Sequence, residues 1–254
     1  MTDVSDVSDV SEQPCTERSG FLAEARRILT GVAEPHNEGP GTIRRRRILV
    51  AVFVVVGFVL LGYSLRLPPG DPSFYWFTIA LAAWWTLGAF VSGPVHLGRI
   101  CFRGRNQRPV ITGTAVGVVL GAAFVVGGLV AREIEPVRDY IVRVLEYANQ
   151  GSLLVIVAIT VINGLAEELF FRGSLFTSLG KRNNGWFAFV VSTAIYVVVT
   201  GVSTQNPMLA FAAVILGTIC AMERRATGGV LAPMLTHFFW GLVMVLALPP
   251  IFGV

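Results

Sequence analysis

The chain has 254 residues, of which 54% are hydrophobic and only 14% charged, with a net charge of +4 at neutral pH. Soluble domains carry roughly 25% charged residues, so this composition excludes an ordinary soluble enzyme and points to an integral membrane protein. The positive balance does not imply nucleic acid, because the basic residues cluster at the ends of apolar runs, where they sort by membrane side.

Residues 1–43 read as a disordered cytoplasmic tail. Asp-Val-Ser repeats three times between Asp3 and Ser11, a low-complexity pattern. Phe21, Leu22, Ala25, Ile28, Leu29 and Val32 then recur at helical spacing, which predicts either an amphipathic helix on the membrane surface or a short transient one. Four arginines, Arg44 to Arg47, abut the first apolar span at about 48–65. No small-residue cleavage site follows that span, so it reads as a signal anchor. A second span at about 74–91 is entered through Phe74, Tyr75 and Trp76, an interfacial aromatic cluster. The segment 96–109 reads as a loop with Arg99, Arg103, Arg105 and Arg108.

A third span at about 110–130 carries Gly113, Gly117 and Gly121, a small-residue stripe suited to close helix packing. After it, Val137, Tyr140, Ile141, Val144 and Leu145 form an apolar stripe beside Arg138, Asp139, Arg143 and Glu146, which predicts an interfacial helix. The fourth to seventh spans fall at about 153–171, 186–202, 208–222 and 230–248. The sixth is short for a hydrocarbon core of ~30 Å. With the amino terminus inside, basic residues favour the cytoplasmic loops three to one over Arg66, Arg132, Arg138 and Arg143 outside. The expected fold is therefore an all-α polytopic bundle of about seven spans over 44–254, in the cell membrane.

The stretch from Asn163 to Arg172 stands out within the fourth span. An ionised side chain at the bilayer centre costs about 2.5–3.5 kcal/mol on insertion scales, so Glu167, Glu168 and Arg172 need a reason to be there. Within the seven apolar runs no other acidic residue is found. On a helix Glu168 and Arg172 are four apart and pair across one turn, whereas Glu167 points about 100° away and lacks that partner. The spacing assigns one carboxylate to a structural ion pair and leaves the other for chemistry. An apolar setting disfavours the ionised form of a carboxylate, which suits a general base. His237 lies in the seventh span, His36 in the tail and His96 in a basic loop. Trp84, Trp85 and Pro233 read as packing and kink devices.

Glu167-Glu168-Leu-Phe-Phe-Arg172 resembles the E-E-x-x-x-R signature of the CPBP family of CAAX-processing and bacteriocin-processing intramembrane proteases. The stretch from Arg225 to His237 resembles the family's closing motif, a helix ending in histidine. Two other family positions depart. Tyr196 aligns with the aromatic of the second motif, but Thr200 stands where that motif has histidine, and Gly241 stands where the closing motif has asparagine. The resemblance implies a CPBP-like core at about 153–248 and an intramembrane endopeptidase acting on a membrane-associated protein or peptide. In it Glu167 activates a water, His237 holds that water or the carbonyl oxygen, and Glu168, Arg172, Tyr196 and Thr200 support them.

A catalytic zinc takes three protein ligands. With Thr200 in the histidine position, no cofactor is expected, and Glu167 and His237 are the candidate ligands of any divalent ion such as zinc. The departures also motivate an alternative, a catalytically impaired relative that binds or chaperones a membrane partner. A proton-coupled transporter is disfavoured by the absence of internal repeats.

Overall fold

A computed structural model describes residues 39–68, 70–102, 105–149, 151–180 and 183–254. The tail segment expected to be amphipathic and the Lys181-Arg182 pair lie outside them. The chain orders as α1 (Pro40–Ser64), α2 (Pro72–Ser92), the strands β1 (Ile100–Phe102) and β2 (Arg105–Gln107), α3 (Val110–Ala131), α4 (Glu135–Leu145), α5 (Leu153–Glu168), a π-helical segment (Leu169–Leu175), α6 (Phe176–Leu179), α7 (Trp186–Thr204), α8 (Pro207–Thr227) and α9 (Leu231–Phe252). Counting Leu153–Leu179 as one continuous helix, seven helices among the described residues are long and apolar enough to cross a membrane.

Local chemistry sets several starts. Proline opens α1, α2 and α8, where its missing N–H costs nothing. Asp71 caps α2 by accepting from the Ser73 N–H at 2.8 Å, and Asn206 caps α8 through the N–H groups of Met208 and Leu209.

Two sequence expectations change. The 96–109 loop folds back on itself as an antiparallel hairpin, with Ile100 opposite Gln107. The sixth span is not short: α8 has 21 residues and runs on to Thr227, which takes Glu223 and Arg224 into the helix.

Packing follows the small residues and the aromatics. A Cβ on Gly113 would sit 2.7 Å from the Ala232 carbonyl oxygen, and one on Gly117 2.7 Å from that of Thr236, so the glycine stripe lets α3 and α9 touch backbone to backbone. The first turn of α9 is fixed from the loop after α2: Val230 N–H donates to the His96 carbonyl at 2.9 Å and Leu231 N–H to that of Leu97 at 3.2 Å. These bonds satisfy donors that a helix start leaves open. A buried aromatic cluster of Trp85, Phe170, Phe171 and Tyr196, with ring centroids 4.6–5.4 Å apart, joins α2, the π segment and α7.

The arginines read as topology signals also do structural work. Arg46 is fully buried, and its guanidinium donates to the carbonyls of Ser92 and Pro94 at the end of α2. Arg47 donates to the Ser178 carbonyl at 2.9 Å, at the end of α6. Cations at helix carboxyl ends satisfy the last carbonyls and complement the dipole. The start of α1 and the ends of α2 and α6 therefore lie together on one side of the bundle.

Candidate active site

The helix that carries the glutamates changes pitch where they end. From Leu169 to Leu175 it is π-helical, and the side chains from Phe170 to Leu175 are all buried. A π turn widens the helix and moves carbonyls out of their usual pairing, a feature frequent at functional sites. Polar side chains from neighbouring helices tie this segment down. Arg224 Nε of α8 donates to the Arg172 carbonyl at 2.7 Å, and its Nη2 to Thr177 Oγ1 at 3.2 Å. Ser174 Oγ donates to the Ala89 carbonyl at 2.9 Å and accepts from Ser92 Oγ at 2.7 Å.

Glu168 is the hub. It is fully buried, and its Oε1 lies 3.0 Å from both Arg172 Nη1 and His237 Nδ1. Arg172, 1% exposed, also donates from Nη2 to the Gly217 carbonyl at 3.1 Å and stacks its guanidinium 4.6 Å from the Tyr196 ring centroid. Among the described residues nothing bonds Glu168 Oε2. His237 reaches Glu168 because α5 lacks a side chain one turn earlier: a Cβ on Gly164 would lie 2.9 Å from the His237 ring.

Glu167 has a different partner. Tyr196, the aromatic that aligned with the second motif, donates its hydroxyl to Glu167 Oε2 at 2.9 Å. The sequence left Glu167 without a bond and set His237 opposite it. The structure gives Glu167 the tyrosine and bonds His237 to Glu168, with Glu167 and His237 still electrostatic neighbours.

The two departing positions differ in their surroundings. Thr200 is half-buried one turn beyond Tyr196. Gly241 faces α5, where an added Cβ would meet only Thr160 Cγ2, at 3.8 Å. That is ordinary contact, so a larger residue has space to begin there.

One acidic residue escaped the sequence reading. Glu223 sits on α8 with its Oε1 2.9 Å from Thr236 Oγ1, while its Oε2 is buried with no hydrogen-bond partner among the described residues. The apolar run stopped at Met222, so Glu223 fell just beyond the sixth span. The signal that could have found it is the helical spacing from Gly217 and Cys220, which carries both charges onto the inward face.

Metal fit is poor. Among the described residues no group of three or more His, Cys, Asp and Glu side chains is arranged to hold an ion. Glu167 and His237 alone fall short of the three protein ligands of a catalytic zinc, so no step below passes through a metal.

Comparison with curated proteins and with solved structures finds no match. The family model described as type II CAAX prenyl endopeptidase Rce1-like matches residues 149–243. That segment, less than half of the chain, is similar to the family and holds Glu167, Glu168, Arg172, Tyr196, Thr200, Glu223 and His237; the likeness is consistent with the CPBP family of intramembrane proteases, and the seven long apolar helices among the described residues are those of a multi-pass membrane protein.

Proposed function

We propose that this protein is an intramembrane endopeptidase of the CPBP type, cleaving a peptide bond in a membrane-associated protein or peptide. The observation that carries the reading is the division of labour between the two glutamates, one held by a tyrosine and the other by a histidine and an arginine.

Glu167 serves as the general base. Tyr196 holds one of its oxygens, which fixes the carboxylate so that the other can take a proton from a water. That water attacks the peptide carbonyl carbon. Glu168 serves a different end. An ionised carboxylate only accepts hydrogen bonds, so His237 Nδ1 carries the proton in this contact and Nε2 is the nitrogen left to work. The carboxylate holds the ring in one tautomer and one orientation, as in hydrolases with an Asp-His pair. His237 can then stabilise the developing oxyanion or protonate the leaving amine. Arg172 balances the Glu168 charge, which leaving it alone in a dry interior would make costly.

The match to a prenyl endopeptidase family supports a substrate anchored at the membrane, and the apolar lining of the spans supports a lipid environment. The arginine asymmetry supports a cytoplasmic amino terminus, with the glutamates in the cytoplasmic half of their span and the protein in the cell membrane. The test is cleavage of a membrane peptide library by purified wild type and Glu167→Gln. Activity in the first and none in the second supports the peptidase. Equal inertness supports a relative that binds a membrane partner without cutting it.

A further inference from the structure

His237 owes its position to α9, and beside His237 one hydroxyl ties α9 to two neighbouring helices. Thr236, the residue before His237, is fully buried. Its Oγ1 lies 3.0 Å from the Gly113 carbonyl oxygen of α3 and 2.9 Å from Glu223 Oε1 of α8. Three helices therefore meet at a single side chain one residue from the histidine. The glycine stripe already fixes how closely α9 approaches α3. The backbone bonds of Val230 and Leu231 fix the first turn of α9; farther along, successive helix residues are 100° apart, so a modest local turn of α9 carries His237 Nδ1 out of reach of Glu168.

Glu223 faces the same interior. Its charged neighbours include Glu168 and Arg172, and Cys220, one turn earlier on α8, is fully buried and interacts electrostatically with both Glu168 and Glu223. A carboxyl in this place is expensive unless its bond to Thr236 is worth keeping. The Thr236 hydroxyl has one proton and two oxygen neighbours, so a second proton donor at position 223 completes the junction. A glutamine amide there would also supply one.

We propose that Glu223 is a positioning residue of this site: by holding Thr236 between α8 and α3 it fixes the turn of α9 that presents His237 to Glu168. The proposal deepens the peptidase reading and rests on the Glu168–His237 pair being part of its machinery, but its test needs no substrate. Histidine-labelled protein in nanodiscs is followed by NMR of the imidazole nitrogens, with His237 signals assigned by their loss in His237→Gln. Thr236→Ser and Glu223→Gln, which keep the junction, should leave the His237 signals at their wild-type positions. Thr236→Val and Glu223→Ala should shift them, and the Glu223→Ala/Thr236→Val double variant should lose no more melting temperature than the worse single, because both cut one link.

A Glu223→Ala protein that melts cooperatively with unshifted His237 signals overturns the proposal, as do additive losses in the double variant. Where Glu223→Ala does not fold, Thr236→Val decides: unshifted His237 signals in it overturn the proposal equally. A junction that behaves as expected in a protein inert toward every peptide would sink the peptidase reading and leave the positioning role standing.

Discussion

His237 Nδ1 and Glu168 Oε1 lie 3.0 Å apart, joining α9 to the last α-helical residue of α5, and Arg172 Nη1 reaches the same oxygen from the π segment, also at 3.0 Å. All three side chains are buried. A carboxylate shared by an arginine and a histidine is balanced in charge, yet it leaves one histidine nitrogen uncommitted. That arrangement holds a buried charge and also offers a proton-transfer group.

Arg172→Ala should lower the amount of folded protein, because it removes the permanent cation beside a fully buried Glu168. Breaking one partner of a buried pair typically costs about 3–5 kcal/mol. The Glu168→Gln/Arg172→Gln double variant should be hurt less. Thermal unfolding in detergent checks this, and an Arg172→Ala protein melting with wild type would show that the pair contributes nothing.

The π segment should depend on Arg224, which bonds the Arg172 carbonyl and Thr177 from α8. A single hydrogen bond to a charged group contributes about 1.5–3 kcal/mol. In Arg224→Met, backbone amides over 169–177 should exchange with solvent faster than in wild type while those of α3 stay protected. Hydrogen exchange read by mass spectrometry reports both at once. Unchanged protection across 169–177 would mean that the wide turn holds itself.

Gly164→Ala places a methyl group 2.9 Å from the His237 ring. Overpacking of this kind typically costs about 1–3 kcal/mol, too little to unfold the bundle but enough to push His237 off Glu168. Cleavage should therefore fall far more than melting temperature does. A variant with full activity would show that the close approach of α5 and α9 is not what seats the histidine.

Topology is checked by cysteine labelling. The hairpin between Ile100 and Gln107 should label from the cytoplasmic side and the α4 region at 135–145 from the outside, following the arginine bias. External labelling of the hairpin would invert the whole assignment.

Much of this was legible before any coordinates. Hydropathy marks the seven helices because a bilayer leaves few other solutions for the backbone. The glycine stripe on α3 announces a close helix contact, and the Glu168–Arg172 spacing announces their pair. Other features were not legible for physical reasons. A π turn has no distinct apolar period, so nothing in Leu169 to Leu175 reveals it. Glu223 was hidden because its helix outlasts its apolar run, and charges that cap or bridge helices look like loop charges in a hydropathy window. The structural role of Arg46 was hidden in the same way, since a cation that holds the end of α2 and one that marks the cytoplasmic side have the same address in the sequence. The partner of Glu167 could be guessed from the family's second motif, whereas the bond between His237 and Glu168 needed the tertiary arrangement of α5 and α9.

The most direct test of the account measures cleavage of a membrane peptide library by wild type, Glu167→Gln, Thr200→His and the Thr200→His/Gly241→Asn double variant. In the proposed mechanism Glu167 is the base, Tyr196 fixes it, and Thr200 offers a hydroxyl, which can hydrogen-bond a water or a carbonyl, in place of the imidazole that a histidine would bring one turn beyond. Losing one donor to an oxyanion commonly costs about 10²–10³ in rate. The expected result is slow cleavage by wild type, none by Glu167→Gln, and a gain of about that size in Thr200→His, with space at Gly241 for the asparagine to add to it. Wild type and Glu167→Gln equally inert, with both restored variants inert as well, would contradict the peptidase account.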